Sequence, residues 1–291
     1  MWLGDRRGHS SDWLTQRWVQ ATGRRVDVRE FPWLDGPVGA TTGIAPTFIA
    51  DLARSEQLAI RDTPDAGLIP DFGILAAADF HPDAADGHVI DFYAHTARYE
   101  MDSWAEWCGV FRPFGWLLAR MFSRRLQQLN VPLTGLDTSR GVSSEVVQLV
   151  DPRTEKLQYT VWLRRLLHTG NVLYAGCYSV ADVPGRVGSC VRVVFPLPNG
   201  NAMVLMRPEL HADGSMSVVS SGQNFGDPGF YFTVRADAHH VWARYVPSLR
   251  ESIHVYSAER GTVRADHALE LWGLSVLRLH YRLRVTNVLK Q

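Results

Sequence analysis

The sequence feature that most constrains this chain is a change in its hydrophobic period near residue 140. From Ser143 onward, apolar and polar residues alternate, which is typical of β-strands that bury one face. The dipeptides Asn199-Gly200 and Asp213-Gly214 are typical of tight hairpin turns, so they predict an antiparallel meander. The alternation predicts ten strands, over residues 144–150, 157–167, 171–180, 187–197, 201–210, 215–221, 229–235, 250–258, 262–272 and 274–285.

Before residue 140 most apolar residues follow a helical spacing instead, apart from a short strand-like alternation from Arg25 to Phe31. We expect a first helix from Ser11 to about Gly23, a second over residues 47–58, and two long helices over residues 86–108 and 113–130. Helices followed by strands indicate an α+β protein rather than alternating βαβ units. We therefore expect a mainly helical N-terminal region, residues 1–140, and an antiparallel β-sheet region, residues 141–291, in one integrated domain.

A sheet of this many strands is expected to curve into a half-barrel or a barrel, and one of its faces needs a cover. The two long helices are the candidates for that cover, acting as a lid. This plan is similar, at the level of the fold, to START and lipocalin proteins, which bind lipids and other small molecules.

Composition excludes several classes of function. Thirty Lys and Arg residues balance thirty Asp and Glu residues, so the chain lacks the excess positive charge of a general nucleic-acid-binding protein. No apolar run approaches the roughly 18 residues that a transmembrane helix needs. Three cysteines without Cys-x-x-Cys spacing indicate a reducing compartment, and we expect a cytoplasmic protein.

Known catalytic and nucleotide-binding motifs are missing from the sequence, and we expect no cofactor. The nearest approach to a metal site is His88, Asp91 and His95, whose spacings of three and four share one face of a helix. Two histidines and a carboxylate are a ligand set for non-haem iron. Three more charged residues follow on the same face, Arg98, Asp102 and Glu106. That density of charge favours a solvated helix face over a metal site.

The first long helix carries an acidic residue in the middle of its apolar face. Glu100 falls among Tyr93, Trp104 and Trp107 when residues advance by roughly 100° each. A carboxyl group held there, away from water, is a candidate general acid or base. The alternative is a buried structural pair with Arg125, which lies on the apolar face of the second long helix. Tyr93, Trp104, Trp107 and Arg125 are also candidates for binding a ligand.

Two polar residues alternate with apolar ones on the last strands. The period of two directs His267 and Tyr281 inward, together with the leucines of the same strands. An inward histidine with a tyrosine on the next strand is a candidate acid–base pair at a pocket. A histidine whose ring is satisfied by a backbone carbonyl would show the same pattern.

Residues 222–232 combine glycines with four aromatic residues between two predicted strands. This composition suits a loop at the mouth of a pocket, where Phe225, Phe230 and Tyr231 would contact an apolar ligand. It suits equally a tight turn whose rings pack inward.

These observations predict an aromatic-rich pocket, between the sheet and the long helices, that binds a hydrophobic small molecule. The leading hypothesis is a cofactor-independent enzyme that uses acid–base chemistry for isomerisation, cyclisation or elimination. The alternatives are a non-catalytic carrier of lipid-like ligands and a partner-binding module. The arginine-rich second long helix also allows peripheral contact with a membrane, although a helix packed on the sheet is favoured.

Overall fold

A computed structural model describes residues 8–41, 43, 44, 46–109, 111 and 141–286. The predicted helix over residues 113–130, and Arg125 with it, lie outside the described residues. Of the candidate pair Glu100 and Arg125, only Glu100 is within these ranges.

Fourteen strands are present in these residues, and all ten predicted strands are among them, with bounds shifted by a few residues. Of the four further strands, β1 (Arg24–Asp27) overlaps the short alternation from Arg25 to Phe31. The other three are not predicted by the sequence: β2 (Ala59–Arg61), β3 (Tyr99–Trp107) and β11 (His240–Val246). The bounds are β1 Arg24–Asp27, β2 Ala59–Arg61, β3 Tyr99–Trp107, β4 Val142–Val150, β5 Leu157–Leu166, β6 Val172–Ala181, β7 Cys190–Leu197, β8 Gly200–Leu210, β9 Met216–Val219, β10 Phe230–Arg235, β11 His240–Val246, β12 Leu249–Ser257, β13 Val263–Leu271 and β14 Leu274–Val285.

The strands form one large antiparallel sheet in the order β2-β4-β5-β6-β7-β8-β9-β12-β13-β14-β3. The sheet branches at β8, because the first half of this strand pairs with β10 and its last residues pair with β9. Strand β10 continues to β11 and then β1. No pairing among the described residues joins β2 to β3, so the sheet is not closed there. Strands β1, β2 and β3 precede residue 140, so both predicted regions contribute to the sheet.

The two predicted hairpins are confirmed. Leu197 is paired with Gly200, so a two-residue turn links β7 to β8, and Asn199 in that turn has a φ of 59°. Asparagine tolerates this left-handed conformation better than most residues do. The second turn links β8 to β9 and places Gly214 at a φ of 80°, which favours glycine.

Three α-helices are described: α1 Ser10–Thr22, α2 Phe48–Ser55 and α3 Gly87–Ala94. Helix α1 starts with a capping box, in which the Asp12 carboxylate accepts the backbone N–H of His9, while His9 Nδ1 accepts the N–H of Ser11. The first two predicted helices are therefore confirmed.

The predicted helix over residues 86–108 is wrong beyond Ala94. A short 3₁₀ turn follows α3, and residues 99–107 form strand β3 at the edge of the sheet. Glu100 is opposite Arg284 of β14 in the register, and Asp102 is opposite Arg282. Opposite charges on directly facing residues stabilise a strand pair, and a prediction from local spacing could not include this distant partner.

Two hydrophobic cores lie on opposite faces of the sheet. Alternation along β8 separates them, because Met203 and Leu205 belong to one core and Val204 and Met206 to the other. The first core also packs α2, and we call it the α2 core. The second packs α3 and the segment before it against β5–β9 and β12–β14, and we call it the cavity core. Side chains from β5 and from β14 meet in the cavity core, so the sheet is strongly curved.

Candidate functional site

A cavity of about 100 Å³ lies inside the cavity core. Helix α3 contributes Phe92 and Tyr93 to its wall, and β7 and β8 contribute apolar side chains such as Phe195 and Met206. An apolar cavity of about 150 Å³ is large enough to bind benzene, so this one suits a ligand of few heavy atoms. Besides Tyr93, six polar side chains among the described residues line the wall: Arg164, Tyr174, Tyr178, Glu251, His267 and Tyr281.

Glu251 and His267 form a close histidine–carboxylate pair in this wall. They lie on the neighbouring strands β12 and β13, where His267 is opposite Ile253, two residues from Glu251. Nε2 of His267 lies 2.6 Å from Oε1 of Glu251, and their side chains are 13% and 10% exposed. This close contact does not have the geometry of a hydrogen bond, because the carboxylate oxygen does not lie in line with the N–H bond of the ring. The carboxylate at Nε2 favours the tautomer that carries its proton there, which leaves the lone pair of Nδ1 available.

Tyr281 stands on the other side of the His267 ring. The two residues lie on β13 and β14, their rings are stacked at 6.2 Å, and the Tyr281 hydroxyl is 3.4 Å from Nδ1 of His267. This is a long hydrogen bond, which a ligand atom can shorten or replace. Burial raises the pKa of Tyr281 to about 12, so the phenol keeps its proton at neutral pH.

Arg164 is the second charged group at the cavity. It lies on β5, is 7% exposed, and its guanidinium carbon is 5.6 Å from the centre of the Trp162 ring. Nε and Nη2 of this side chain are buried and have no hydrogen-bond partner among the described residues. Burial lowers the pKa of the guanidinium, because removal from water disfavours its charged form.

Two tyrosines of β6 complete the polar wall. The hydroxyls of Tyr174 and Tyr178 lie 2.5 Å apart, and burial raises the pKa of both. Gly176 lies between them, and a Cβ at that position would be 2.6 Å from the Tyr174 hydroxyl, so glycine gives the ring its room. In a hydrogen-bonded pair of neutral hydroxyls one proton is shared, and the other remains available to a ligand.

Three of the predicted site residues line the cavity: His267, Tyr281 and Tyr93. The expectation that His267 points inward with the apolar face of its strand is confirmed. No backbone carbonyl satisfies its ring in the described part of the chain, since Glu251 and Tyr281 are its partners.

Three other predicted residues lie on β3 and not on a helix, and none of them lines this cavity. Glu100 is exposed, so it is neither in an apolar arc nor buried. Trp104 is 48% exposed on the outer face, where Arg282 stacks over its ring, and Trp107 is half-buried near the end of the strand. For Glu100 and Trp104 the cause is that residues 100 and 104 of a strand share a face, which in β3 is directed outward. Trp107 shares the face of Met101 but lies at the end of the strand, away from the cavity.

The aromatic residues of the 222–232 segment do not line this cavity either. Phe225 and Tyr231 pack in the α2 core, where both contact Trp33. The Tyr231 hydroxyl donates to the carbonyl of Asp227, so it closes its own turn. Phe230 packs against the cavity core without reaching the cavity. The segment is thus a tight turn with inward rings, the second of the two interpretations.

Two of the three residues considered as metal ligands contact each other. Asp91 contacts Nδ1 of His95 at 3.0 Å and accepts the Tyr99 hydroxyl at 2.7 Å, while His88 lies beside Gly261. No group of three His, Cys, Asp or Glu side chains within the described ranges is arranged to hold a metal ion.

Sequence reasoning missed four polar residues of the site: Glu251, Arg164, Tyr174 and Tyr178. A signal was present for Glu251, because it alternates with Ile253 and Val255 and therefore shares their inward face. Arg164 gave no such signal, since β5 is buried on both faces and its sequence does not show which core each residue enters.

Comparison with known proteins gives a distant relative. No known protein family matches the chain, and no solved structure matches it. None of the helices in the described ranges is long and apolar enough to cross a bilayer. The chain is similar to the uncharacterized membrane protein YndJ of Bacillus subtilis (strain 168), with 23% identity over 223 residues. The match covers 76% of this chain but 39% of that protein, so the chain spans well under half of this relative's length.

Proposed function

We propose that this protein is an enzyme that carries out acid–base chemistry on a small, mainly hydrophobic molecule with its own side chains and without a cofactor. The observation that carries the proposal is the Glu251–His267 pair, with Tyr281 beside it, at an otherwise largely apolar cavity. Perturbed or paired titratable groups in such a pocket are typical of catalytic sites.

Each of these three residues has a role in the proposed reaction. The Glu251 carboxylate, in contact with Nε2 of His267, favours the tautomer that carries its proton there, and Nδ1 is then the base that accepts a proton from a substrate carbon. Tyr281 is the neutral donor, because its raised pKa of about 12 keeps the hydroxyl protonated. A hydroxyl donor stabilises the negative charge that develops on a carbonyl oxygen when the adjacent carbon loses its proton. Proton transfer next to a carbonyl is the shared step of isomerisation and many eliminations.

The test uses small neutral ketones, because they need no charged binding group. The purified protein is incubated with 3-methyl-2-butanone in D₂O, and proton NMR follows the loss of the signals next to the carbonyl. We expect faster exchange with the wild type than with Glu251→Gln or His267→Gln, since both variants remove the base or its orienting group. His280→Gln is the matched control, because its ring is paired with Asp266 outside the cavity. Equal exchange in wild type and both site variants would refute the acid–base role.

The second candidate function is a non-catalytic carrier of a hydrophobic ligand. The apolar wall of the cavity favours it, and so does the relative that is named a membrane protein. Native mass spectrometry of the purified protein separates the candidates. A carrier would retain a small molecule unchanged, whereas an enzyme would convert it over time. For the location we propose the cytoplasm, since Cys108, Cys177 and Cys190 are free thiols.

A further inference from the structure

Arg164 is a charged side chain whose burial the fold does not compensate. A buried guanidinium is costly unless acceptors replace its lost water, and two of its nitrogens have none in the described part of the chain. The Trp162 ring covers one face of the group, but a ring accepts no hydrogen bond along the N–H directions. Arg164 lines the cavity, and these two donors lie buried behind its accessible wall.

The identity of the two nitrogens indicates the chemistry of that molecule. Nε and Nη2 lie on the same edge of the planar guanidinium, and one N–H bond of each points in a parallel direction. This fork matches the two oxygens of a carboxylate, which accept both hydrogens at once. A single carbonyl oxygen could accept both hydrogens only by sharing, and it carries no charge, whereas a carboxylate offers one charged oxygen to each N–H.

The other groups at the cavity are consistent with an anion beside Arg164. Tyr174 is opposite Arg164 in the β5–β6 register, and the Tyr174–Tyr178 pair has a further hydroxyl proton to donate. Glu251, the one carboxylate among the described residues of the wall, is paired with His267 at 2.6 Å and forms no ion pair with Arg164. The positive charge of Arg164 is therefore the one without a counter-ion in direct contact among the described cavity residues.

We infer that the natural ligand is a small carboxylic acid with an apolar body. Its carboxylate binds Nε and Nη2 of Arg164 once the guanidinium turns this buried edge into the cavity, and its body lies against the apolar wall. The volume of about 100 Å³ limits the body to a few carbon atoms, which excludes a fatty-acid chain unless the cavity widens. This inference rests on the proposed function, because it names the substrate class of the same pocket.

The experiment compares isovalerate with isovaleramide, which has the same shape and no charge. Isothermal titration calorimetry with the wild-type protein should give a Kd for the acid that is about tenfold lower or better, as charge-assisted hydrogen bonds imply. Arg164→Gln should abolish this preference. Arg164→Lys should lose most of it, because lysine keeps the charge and loses the fork. Arg165→Gln is the matched control, since Arg165 pairs with Glu145 and does not line the cavity.

Each outcome decides the inference. Equal binding of acid and amide, or no binding of either to the wild type, overturns it, and so does displacement of isovalerate by inorganic phosphate at similar concentrations. The acid–base proposal is judged separately by the exchange of the neutral ketone, so the two can fail independently. Should Arg164→Gln fail to fold, the arginine Nε signals of ¹⁵N-labelled wild type provide the readout. One signal must shift with isovalerate and not with isovaleramide, and no shift refutes the inference.

Discussion

The two faces of β12, β13 and β14 carry the same kinds of polar residue, which are buried on the inner face and exposed to solvent on the outer face. On the inner face, Glu251, His267 and Tyr281 lie among apolar side chains at the cavity. On the outer face, His280 pairs with Asp266 at 2.7 Å, with both side chains about half exposed. One histidine–carboxylate pair is thus buried, and its counterpart one strand away is solvated.

The outer face carries two clusters of polar partners. Arg282 and Arg284 of β14 both contact Asp102 of β3, at 2.6 and 3.1 Å, and Tyr256 donates to Asp266. Water competes with each of these contacts, so each contributes little to stability. The inner face has fewer partners and no such competition. Polar groups there cost more to bury, which is why we interpret them as a binding site rather than as structural support.

The largest expected difference between the faces comes from neighbouring residues of β14. Leu283→Ala should lower the free energy of unfolding by about 2–5 kcal/mol, because Leu283 is 1% exposed in the cavity core and its loss leaves a void. Arg284→Ala, one residue further and outward, should cost less than about 1 kcal/mol. Urea denaturation measures both. Similar losses would contradict the assignment of the two faces.

A smaller difference is expected for the two histidines. His267→Gln should cost about 1–3 kcal/mol of stability, because it leaves the Glu251 carboxylate buried without its partner. His280→Gln should cost between zero and about 1 kcal/mol, since water replaces the lost contact with Asp266. Thermal and urea unfolding at neutral pH check the comparison. A larger loss from His280→Gln would reverse our view of the two pairs.

The smallest effect concerns Tyr281 at alkaline pH. Its pKa is raised from 10 to about 12 in the folded protein, so the folded state favours the protonated phenol. The resulting stability is fully present below pH 10 and is lost as the pH rises toward 12. Tyr281→Phe removes this dependence. Between pH 9 and pH 11 the free energy of unfolding should therefore fall by about 1 kcal/mol more in the wild type than in the variant.

Urea unfolding at the two pH values measures the difference. The conservative variant Tyr256→Phe is the control on the outer face, where the pKa of the phenol is raised less strongly. Identical pH dependence in wild type and Tyr281→Phe would show that the hydroxyl is open to water.

Much of the sheet could be predicted because its signals are local. A period of two assigns each residue to a face, and a hairpin turn fixes the register of the strands that it joins. This is why His267 and Tyr281 were expected to point inward together, on adjacent strands linked by a short turn.

Residues 99–107 show where local signals fail. Their aromatic residues fit a helical face as well as a strand, so the sequence predicted one long helix with Glu100 inside it. Tertiary structure decided otherwise, because β14 offers arginines opposite the acidic residues of β3. The energy of that pairing depends on residues about 180 positions away, which no local period includes.

The sequence by itself therefore determined the strands after residue 140, their hairpins and the inward direction of His267 and Tyr281. Only the tertiary structure decided which core each buried residue of β5 enters, and that Arg164 lies at the same cavity as Glu251. The physical reason is curvature. A binding site forms where a twisted sheet brings distant strands around one space, and that meeting depends on the packing of the whole sheet rather than on the order of residues in any one strand.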